Sequence, residues 1–382
     1  MADIGRGKIF ASAKRVVVKI GSSLLAPEGI KVREERVRSF ASQVAALRKS
    51  GREVIIVSSG AIASGMRLLG MKTRPTAVEQ KQALAAVGQP DLMRAYASAF
   101  GRKGLRVAQV LLTQDDLRER KRFLNARAAL EAILARKLIP IVNENDVVAV
   151  DEIRMGDNDT LSALVALLCG ADLLVLLTDV DGLFRGDPRR DSGAARVAVV
   201  DRITAEVRRW AGVTPGSSVG SGGMATKLKA AGMVNRAGHA VLIARGTDRE
   251  VLTRAFNGGD CGTLFLPAGT LMPAHKRWLA FGVKPAGSVS VDAGARNALT
   301  GGGKSLLPKG ITRVAGEFRP GDAVSILSDD GIEFARGVTS YSSKEILMIK
   351  GLATGEIVKI LGSKRSDEVV HRDRMVIIEG GR

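Results

Sequence analysis

Cysteine is scarce in this sequence. The 382 residues hold two, Cys169 and Cys261, each in an apolar or glycine-rich setting. Neither a disulfide framework nor a cysteine-based zinc site is indicated. No apolar run approaches the roughly 18–20 residues that a membrane helix needs. The opening MADIGRGKIFASAKRVVVKIG lacks the long apolar segment of a signal peptide. A cytoplasmic protein with no membrane association is expected. Aromatic residues make up only 4% of the chain, and His239, His275 and His371 are scattered singly.

What is present is an ordinary globular composition, 45% hydrophobic and 25% charged, with length for two or three domains. The formal net charge of +19 raises the question of a nucleic-acid partner, because clustered Lys and Arg release counterions from a phosphate backbone. The excess is spread out, however: residues 276–382 carry 17 Lys and Arg against 12 Asp and Glu, a net +5, which leaves +14 for the rest. A basic surface of this kind also suits anionic metabolites.

Strands and helices alternate through about residue 268. RVVVKIGSS is a β-branched run ending in Gly-Ser. The helical stretch that follows places Val37, Phe40, Val44 and Leu47 on one face and Gly51 at its end. REVIIVSSGAIASG repeats the move, and LRVAQVLL, LIPIVNEND, ADLLVLLTD and HAVLIARG are further apolar runs. Strands that are apolar throughout and joined by helices predict an α/β fold, a mostly parallel sheet sandwiched by helices. Ligands in such sheets sit beyond the carboxyl ends of the strands, where the polar and glycine-rich segments fall. After about residue 284 the texture changes to short alternating runs with turns such as Asp330-Gly331. The expected division is a domain over 12–268, a linker over 269–284 and a small β-rich domain over 285–365.

The stretch GSSVGSGGMATKLKAAG (216–232) sets a glycine cluster before a helix. It is not a P-loop, since Lys227 follows Thr226 and no strand precedes it, and it fits the dinucleotide fingerprint only loosely. Adjacent N–H groups at a helix start, uncrowded at Gly222 and Gly223, still make an anion nest. Spacing alone leaves Lys227 either an ordinary exposed lysine or the partner of a bound phosphate. ALTGGGKS (298–305) ends like a P-loop but has Ala298 where the first glycine belongs, and it reads as a turn. Lys19 interrupts an apolar strand just before Gly21-Ser22-Ser23 and must reach water or pair with charge. Ser58, Ser59 and Gly60 form a second Ser/Gly strand-to-helix turn. Asp146 lies in one acidic turn and Asp157, Asn158 and Asp159 in another; turn and capping roles suffice for about half of these.

Taken in order, VVVKIGSS, VSSGAIASG, QALAAVGQPDLM, FLNAR, PIVNENDVVA, GDNDTLSA, LLTDVDGLF and GSGGMATKLKAA resemble the amino-acid kinase family, and within it the members that act on the glutamate side chain. VSVDAGARNAL, GKSLLPKGI and VVHRD are similar to a PUA domain. The resemblance implies ATP-dependent phosphorylation of the L-glutamate side-chain carboxylate to glutamyl 5-phosphate, the first step of proline biosynthesis. A carboxylate of pKa about 4.3 is ionised at pH 7, so this nucleophile needs no general base. Bringing an anion up to a polyanion is a matter of alignment and charge neutralisation.

Carried over motif by motif, the resemblance makes Lys19 and Lys227 a cationic clamp on the phosphates, with Asp159 orienting both. It assigns ATP to Lys19, Gly21, Ser22, Thr178, Asp179, Ser221, Gly222, Gly223, Met224, Ala225, Thr226 and Lys227. It assigns glutamate to Ser59, Asp146 and Asn158, with Asp146 a natural partner for the ammonium. Mg2+ is implied on the ATP oxygens, with no protein metal ligand. A homo-oligomer, proline feedback with MKTRPTAVEQ (71–80) as a candidate loop, coupling to glutamyl phosphate reductase, and RNA binding through the PUA-like domain are further implications; for RNA, the +5 charge and missing aromatic stacking pattern count against it. A sister kinase acting on acetylglutamate, aspartate or a nucleoside monophosphate would share the ATP side, but the NEND turn and the tail domain argue against it.

Overall fold

The computed structural model describes residues 2–27, 32–149, 158–188, 191, 193–212, 223–269 and 271–378. The chain divides into two compact units, residues 1–117 with 121–271 and residues 272–382 with 118–120.

The first stretch of chain carries strands β1 (Arg15–Ile20), β2 (Glu53–Val57), β3 (Val107–Leu112), β4 (Ile139–Glu144), β5 (Leu173–Thr178), β6 (Val199–Val200), β7 (Ala240–Arg245) and β8 (Thr263–Phe265). Its helices are α1 (Ala2–Ser12), α2 (Ser22–Leu25), α3 (Glu34–Lys49), α4 (Ala61–Leu68), α5 (Val78–Gly101), α6 (Gln114–Arg118), α7 (Arg120–Ala135), α8 (Asn158–Cys169), α9 (Ala205–Trp210), α10 (Met224–Arg236) and α11 (Val251–Phe256). Among the described residues the strands form one sheet in the order β3-β4-β2-β1-β5-β7-β8-β6. Neighbours run parallel except β7 and β8.

The sequence explains the layering. Every residue of β5, LLVLLT, is buried, and so are β1 from Val16 to Ile20 and β2 from Val54 to Val57. A strand apolar on both faces requires cover on both. Helix α3 gives that cover through Val37, Phe40, Val44 and Leu47, the predicted face, with Glu34 and Glu35 in its first turn and Arg48 and Lys49 in its last, each set matched to the helix dipole. Helix α8 is buried at every position: apart from Ser162, residues 161–169 are apolar, as a helix enclosed on all sides requires, and its polar first turn, Asn158, Asp159 and Thr160, is buried with them.

Two helical glycines press α4 against α5. A Cβ at Gly65 would lie 2.0 Å from Leu84 O, and one at Gly88 would lie 1.9 Å from Ala61 O. Both obstacles are backbone, so neither can turn aside. Gly88→Ala is expected to lower the melting temperature, with a cost at the upper end of about 1–3 kcal/mol or beyond. Gly101→Ala, where a Cβ meets nothing within 4 Å, is the control and should be neutral or slightly stabilising. Equal melting temperatures for the two variants would contradict the close-packing argument.

The second stretch holds α12 (Ala274–Arg277), a π-helical turn at Trp278–Gly282, β9 (Gly287–Val291), α13 (Ala293–Gly302), β10 (Ile311–Gly316), β11 (Ala323–Leu327), β12 (Glu333–Thr339), α14 (Ser343–Ile349), α15 (Ile357–Leu361) and β13 (Val370–Ile377). Its sheet runs β10-β9-β11-β12-β13. Strand β13 lies beyond residue 365, where the sequence reading ends the second domain. Part of the stretch read as a linker is built into this unit: Trp278, Leu279 and Ala280 are buried, and the Arg336 guanidinium donates to Ala280 O at 3.2 Å and Val283 O at 3.3 Å. ALTGGGKS closes a helix rather than opening one. It covers the end of α13, with Gly303 as its left-handed C-cap at φ +56°, and a helix C-terminus repels anions.

Candidate active site

Chain order reverses at β1, with β2, β4 and β3 on one side and β5 and β7 on the other. Loops beyond the carboxyl ends part at such a point and leave a crevice. The strand register brings particular residues to it. Lys19 lies level with Val57 on β2 and Leu176 on β5, and Val57 lies level with Val142 on β4. The residues that follow, Gly21, Ser58-Ser59, Asn143 and Thr178, therefore share one edge of the sheet.

Three charged side chains converge there from three elements. Lys19 is 7% exposed, Lys227 7% and Asp159 3%. Lys19 Nζ, from β1, lies 2.7 Å from Asp159 Oδ1; Lys227 Nζ, from the first turn of α10, lies 3.1 Å from Asp159 Oδ2. The Thr226 hydroxyl donates to the same Oδ2 at 2.7 Å. Asp159 sits in the first turn of α8, where the helix dipole favours an anion. Its carboxyl is held below the ordinary carboxylate range: burial opposes ionisation, but the charges of Lys19 and then Lys227 outweigh it. Lys227 stands at the unfavourable end of its own helix dipole, and the Asp159 charge compensates for it. Gly223 caps α10 at φ +115°, a conformation that suits glycine, and its carbonyl lies 3.4 Å from Lys227 Nζ.

Beside this triad is a neutral polar group. Asn158 Nδ2 contacts Ser58 O at 2.6 Å, Ser59 Oγ at 2.8 Å and Asn143 Oδ1 at 3.1 Å. Asn143 Nδ2 in turn donates to Gln89 Oε1 at 2.9 Å. Ser58 Oγ lies 2.9 Å from the fully buried Tyr96 hydroxyl, whose pKa burial drives upward. Asp146, partly buried in the turn after β4, has its carboxyl pushed up to about 6 by burial, with the Arg74 charge opposing.

The structure thus gathers Lys19, Lys227, Asp159 and Thr226 in one cluster and Ser59 and Asn158 in another, linked by adjacent residues on α8. Gly21 caps α2 and Ser22 begins it, exposed. The Thr178 hydroxyl donates to Asp179 Oδ1 at 2.9 Å at the end of β5, while Met224 and Ala225 are half-buried at the start of α10. Ser221, Gly222 and Asp157 lie outside the described residues. The sequence reading did not single out Asn143, Gln89 or Tyr96. The signal for Asn143 was available: like Lys19 it is a polar residue on an otherwise apolar strand, and it must find partners.

Among the described residues, no group of three or more His, Cys, Asp or Glu is placed to hold a metal ion. Both Asp159 oxygens are already occupied by cations.

Residues 14–245 match the amino acid kinase family, and residues 287–361 match the PUA domain. The chain is 51% identical to a glutamate 5-kinase of Geobacter sp. (strain M21), over 98% of this chain and 100% of the relative. It is 49% identical to the glutamate 5-kinase of Geobacter sulfurreducens, over 98% and 100%. With the glutamate 5-kinase of Burkholderia thailandensis it shares 46% identity, over 97% and 99%.

Proposed function

This chain belongs to the amino acid kinase family, and we infer on that premise that it transfers the γ-phosphoryl group of ATP to the side-chain carboxylate of L-glutamate. The product is glutamyl 5-phosphate, and the reaction opens proline biosynthesis. One observation carries the reading at the site: two buried lysines from opposite sides, β1 and α10, meet on a single carboxylate. Three buried charges with a net positive sum suit a polyanion that supplies the missing negative charge.

In this assignment Lys19 and Lys227 neutralise the transferring phosphoryl group, and Asp159 holds the two ammonium groups at a fixed separation. Ser59, Asn158 and Asp146 hold the amino-acid end of glutamate, and Asp146 pairs with its ammonium. Gly21, Ser22, Thr178, Asp179 and the 221–227 loop take the nucleotide. Mg2+ arrives as the counter-ion of ATP, and we assign it no protein ligand. The acceptor is already an anion, so the site needs no proton-abstracting group.

ATP turnover with glutamate, N-acetylglutamate, aspartate and UMP tests the reading, with hydroxylamine added to trap acyl phosphates. Glutamate-dependent hydroxamate is expected. Turnover with UMP alone, or no hydroxamate, would overturn the assignment.

The Asp146 carboxyl gives a second test. Its raised pKa of about 6 means that it loses its charge as pH falls through 6, and with it the ion pair to the substrate ammonium. The KM for glutamate should climb between pH 7 and 5 while the KM for ATP changes little. Asp146→Asn should show the high glutamate KM at every pH and lack this acid limb. A parallel rise in both KM values would count against Asp146 as the ammonium partner.

A further inference from the structure

Behind Ser59 and Asn158 stands a row of amides that the phosphoryl transfer does not use directly. Asn158 lies 2.6 Å from Ser58 O, and a backbone carbonyl can only accept, so the face of Asn158 turned to it is the NH2. The same NH2 meets Asn143, which therefore turns its oxygen to Asn158 and its own NH2 to Gln89 Oε1. Every amide donates in one direction, from Asn158 to Asn143 to Gln89. Reversing any one would set oxygen against oxygen or NH2 against NH2. Asn143, Asn158 and Gln89 are 2%, 5% and 8% exposed, so little solvent is at hand to relieve such a clash.

The direction leaves one group over at each end. Asn158 Oδ1 and Gln89 Nε2 are buried with no hydrogen-bond partner among the described residues. Asn158 is thus an acceptor in waiting. The Asn158 NH2 shares its two hydrogens among three acceptors, and its nitrogen cannot accept, so the Ser59 O–H beside it at 2.8 Å is free to donate to something else. An acceptor beside a donor matches the ammonium and carboxylate of an α-amino acid.

We propose that Gln89 is a positioning residue for the amino-acid substrate: it holds Asn143 with its oxygen toward Asn158, and Asn143 together with Ser58 O keeps the Asn158 carbonyl oxygen toward the substrate ammonium and leaves Ser59 as a donor to the substrate carboxylate. The proposal rests on the assignment of glutamate to Ser59 and Asn158. Gly88 makes the reach feasible, since its missing side chain lets α5 lie against Ala61, two residues beyond Ser59.

The test is steady-state kinetics on the full chain. Gln89→Met keeps the volume and removes the acceptor; it should raise the KM for glutamate about tenfold or more. The KM for ATP and kcat should stay close to wild type. Gln89→Glu, which retains an oxygen facing Asn143, should recover most of the loss. If Gln89→Met does not fold, Gln89→Ala gives the same comparison. A residue that acts through Asn158 adds nothing once Asn158 is gone, so Gln89→Met combined with Asn158→Ala should match Asn158→Ala alone. An unchanged glutamate KM in Asn158→Ala would remove the substrate assignment itself. A raised KM in Asn158→Ala with no change in Gln89→Met, or additive effects in the double variant, would overturn the proposal for Gln89 and leave the assignment standing. A lowered melting temperature with an unchanged glutamate KM would reduce Gln89 to packing and also overturn it.

Discussion

Lys227→Ala is expected to lower kcat by about two to three orders of magnitude, the usual loss for one preorganised electrostatic donor, with smaller effects on both KM values. The expectation follows from where the ammonium is held. Lys227 is 7% exposed and its Nζ is fixed by Asp159 Oδ2 and Gly223 O, so it needs no reorganisation when charge develops on the phosphoryl oxygens. Lys19→Ala should behave alike, because Lys19 reaches the other oxygen of the same carboxylate. If the two lysines act on one phosphoryl group, the double variant should fall short of the product of the single defects. Lys227→Arg should recover only part of the rate, since a planar fork does not occupy the place of a compact ammonium. Lys304→Ala, beyond the C-cap of α13, should leave turnover unchanged. A near-wild-type kcat for Lys227→Ala at saturating ATP and glutamate would mean that the glycine-lysine loop at 221–227 has been misassigned.

The parts of this site that were legible in the sequence are those where a residue conflicts with its local pattern. Lys19 breaks an apolar strand, and a buried ammonium on a strand needs a counter-charge. The pattern does not say which carboxylate supplies it. Asp159 is 140 residues away, and its pairing with both lysines was expected only from the family resemblance. The sheet class was readable because β1, β2 and β5 are apolar throughout. The strand order was not, because periodicity records which face is buried and not which neighbour lies beside it. Strands β6 and β8, with two and three residues, are too short to show a period at all.

Gln89 illustrates the opposite case. A glutamine on a long helix reads by default as a solvated position, and its partner Asn143 lies 54 residues away on a strand. Gly65 and Gly88 likewise read as weak points in helices, and only the packing of α4 on α5 shows that a side chain has no room there. In each case the deciding contact is long-range and involves no local irregularity, so composition and spacing carry no trace of it.

Asp159→Asn tests the centre of the arrangement and should change more than one measurement. The substitution keeps the shape but removes the charge that lies 2.7 Å from Lys19 Nζ and 3.1 Å from Lys227 Nζ. Two buried ammonium groups are then left facing each other, and stability in the absence of ATP should fall by about 3 kcal/mol, as for a broken buried ion pair. Calorimetry should show this as a lower melting temperature. ATP supplies the missing negative charge, so it should raise the melting temperature of the variant more than that of the wild type. The KM for ATP should not rise, yet kcat should fall at least about a hundredfold, because the ammonium groups repel and lose their alignment on the phosphoryl group. The acid limb of stability supplies an independent check. The Asp159 carboxyl titrates below its unfolded value, so its contribution is fully present above about pH 4 and is lost as pH falls through the lower folded value. The variant should lack that part of the acid dependence. A raised KM for ATP with kcat preserved would show that Asp159 serves nucleotide binding rather than alignment of the two lysines, and the proposed division of roles would fall.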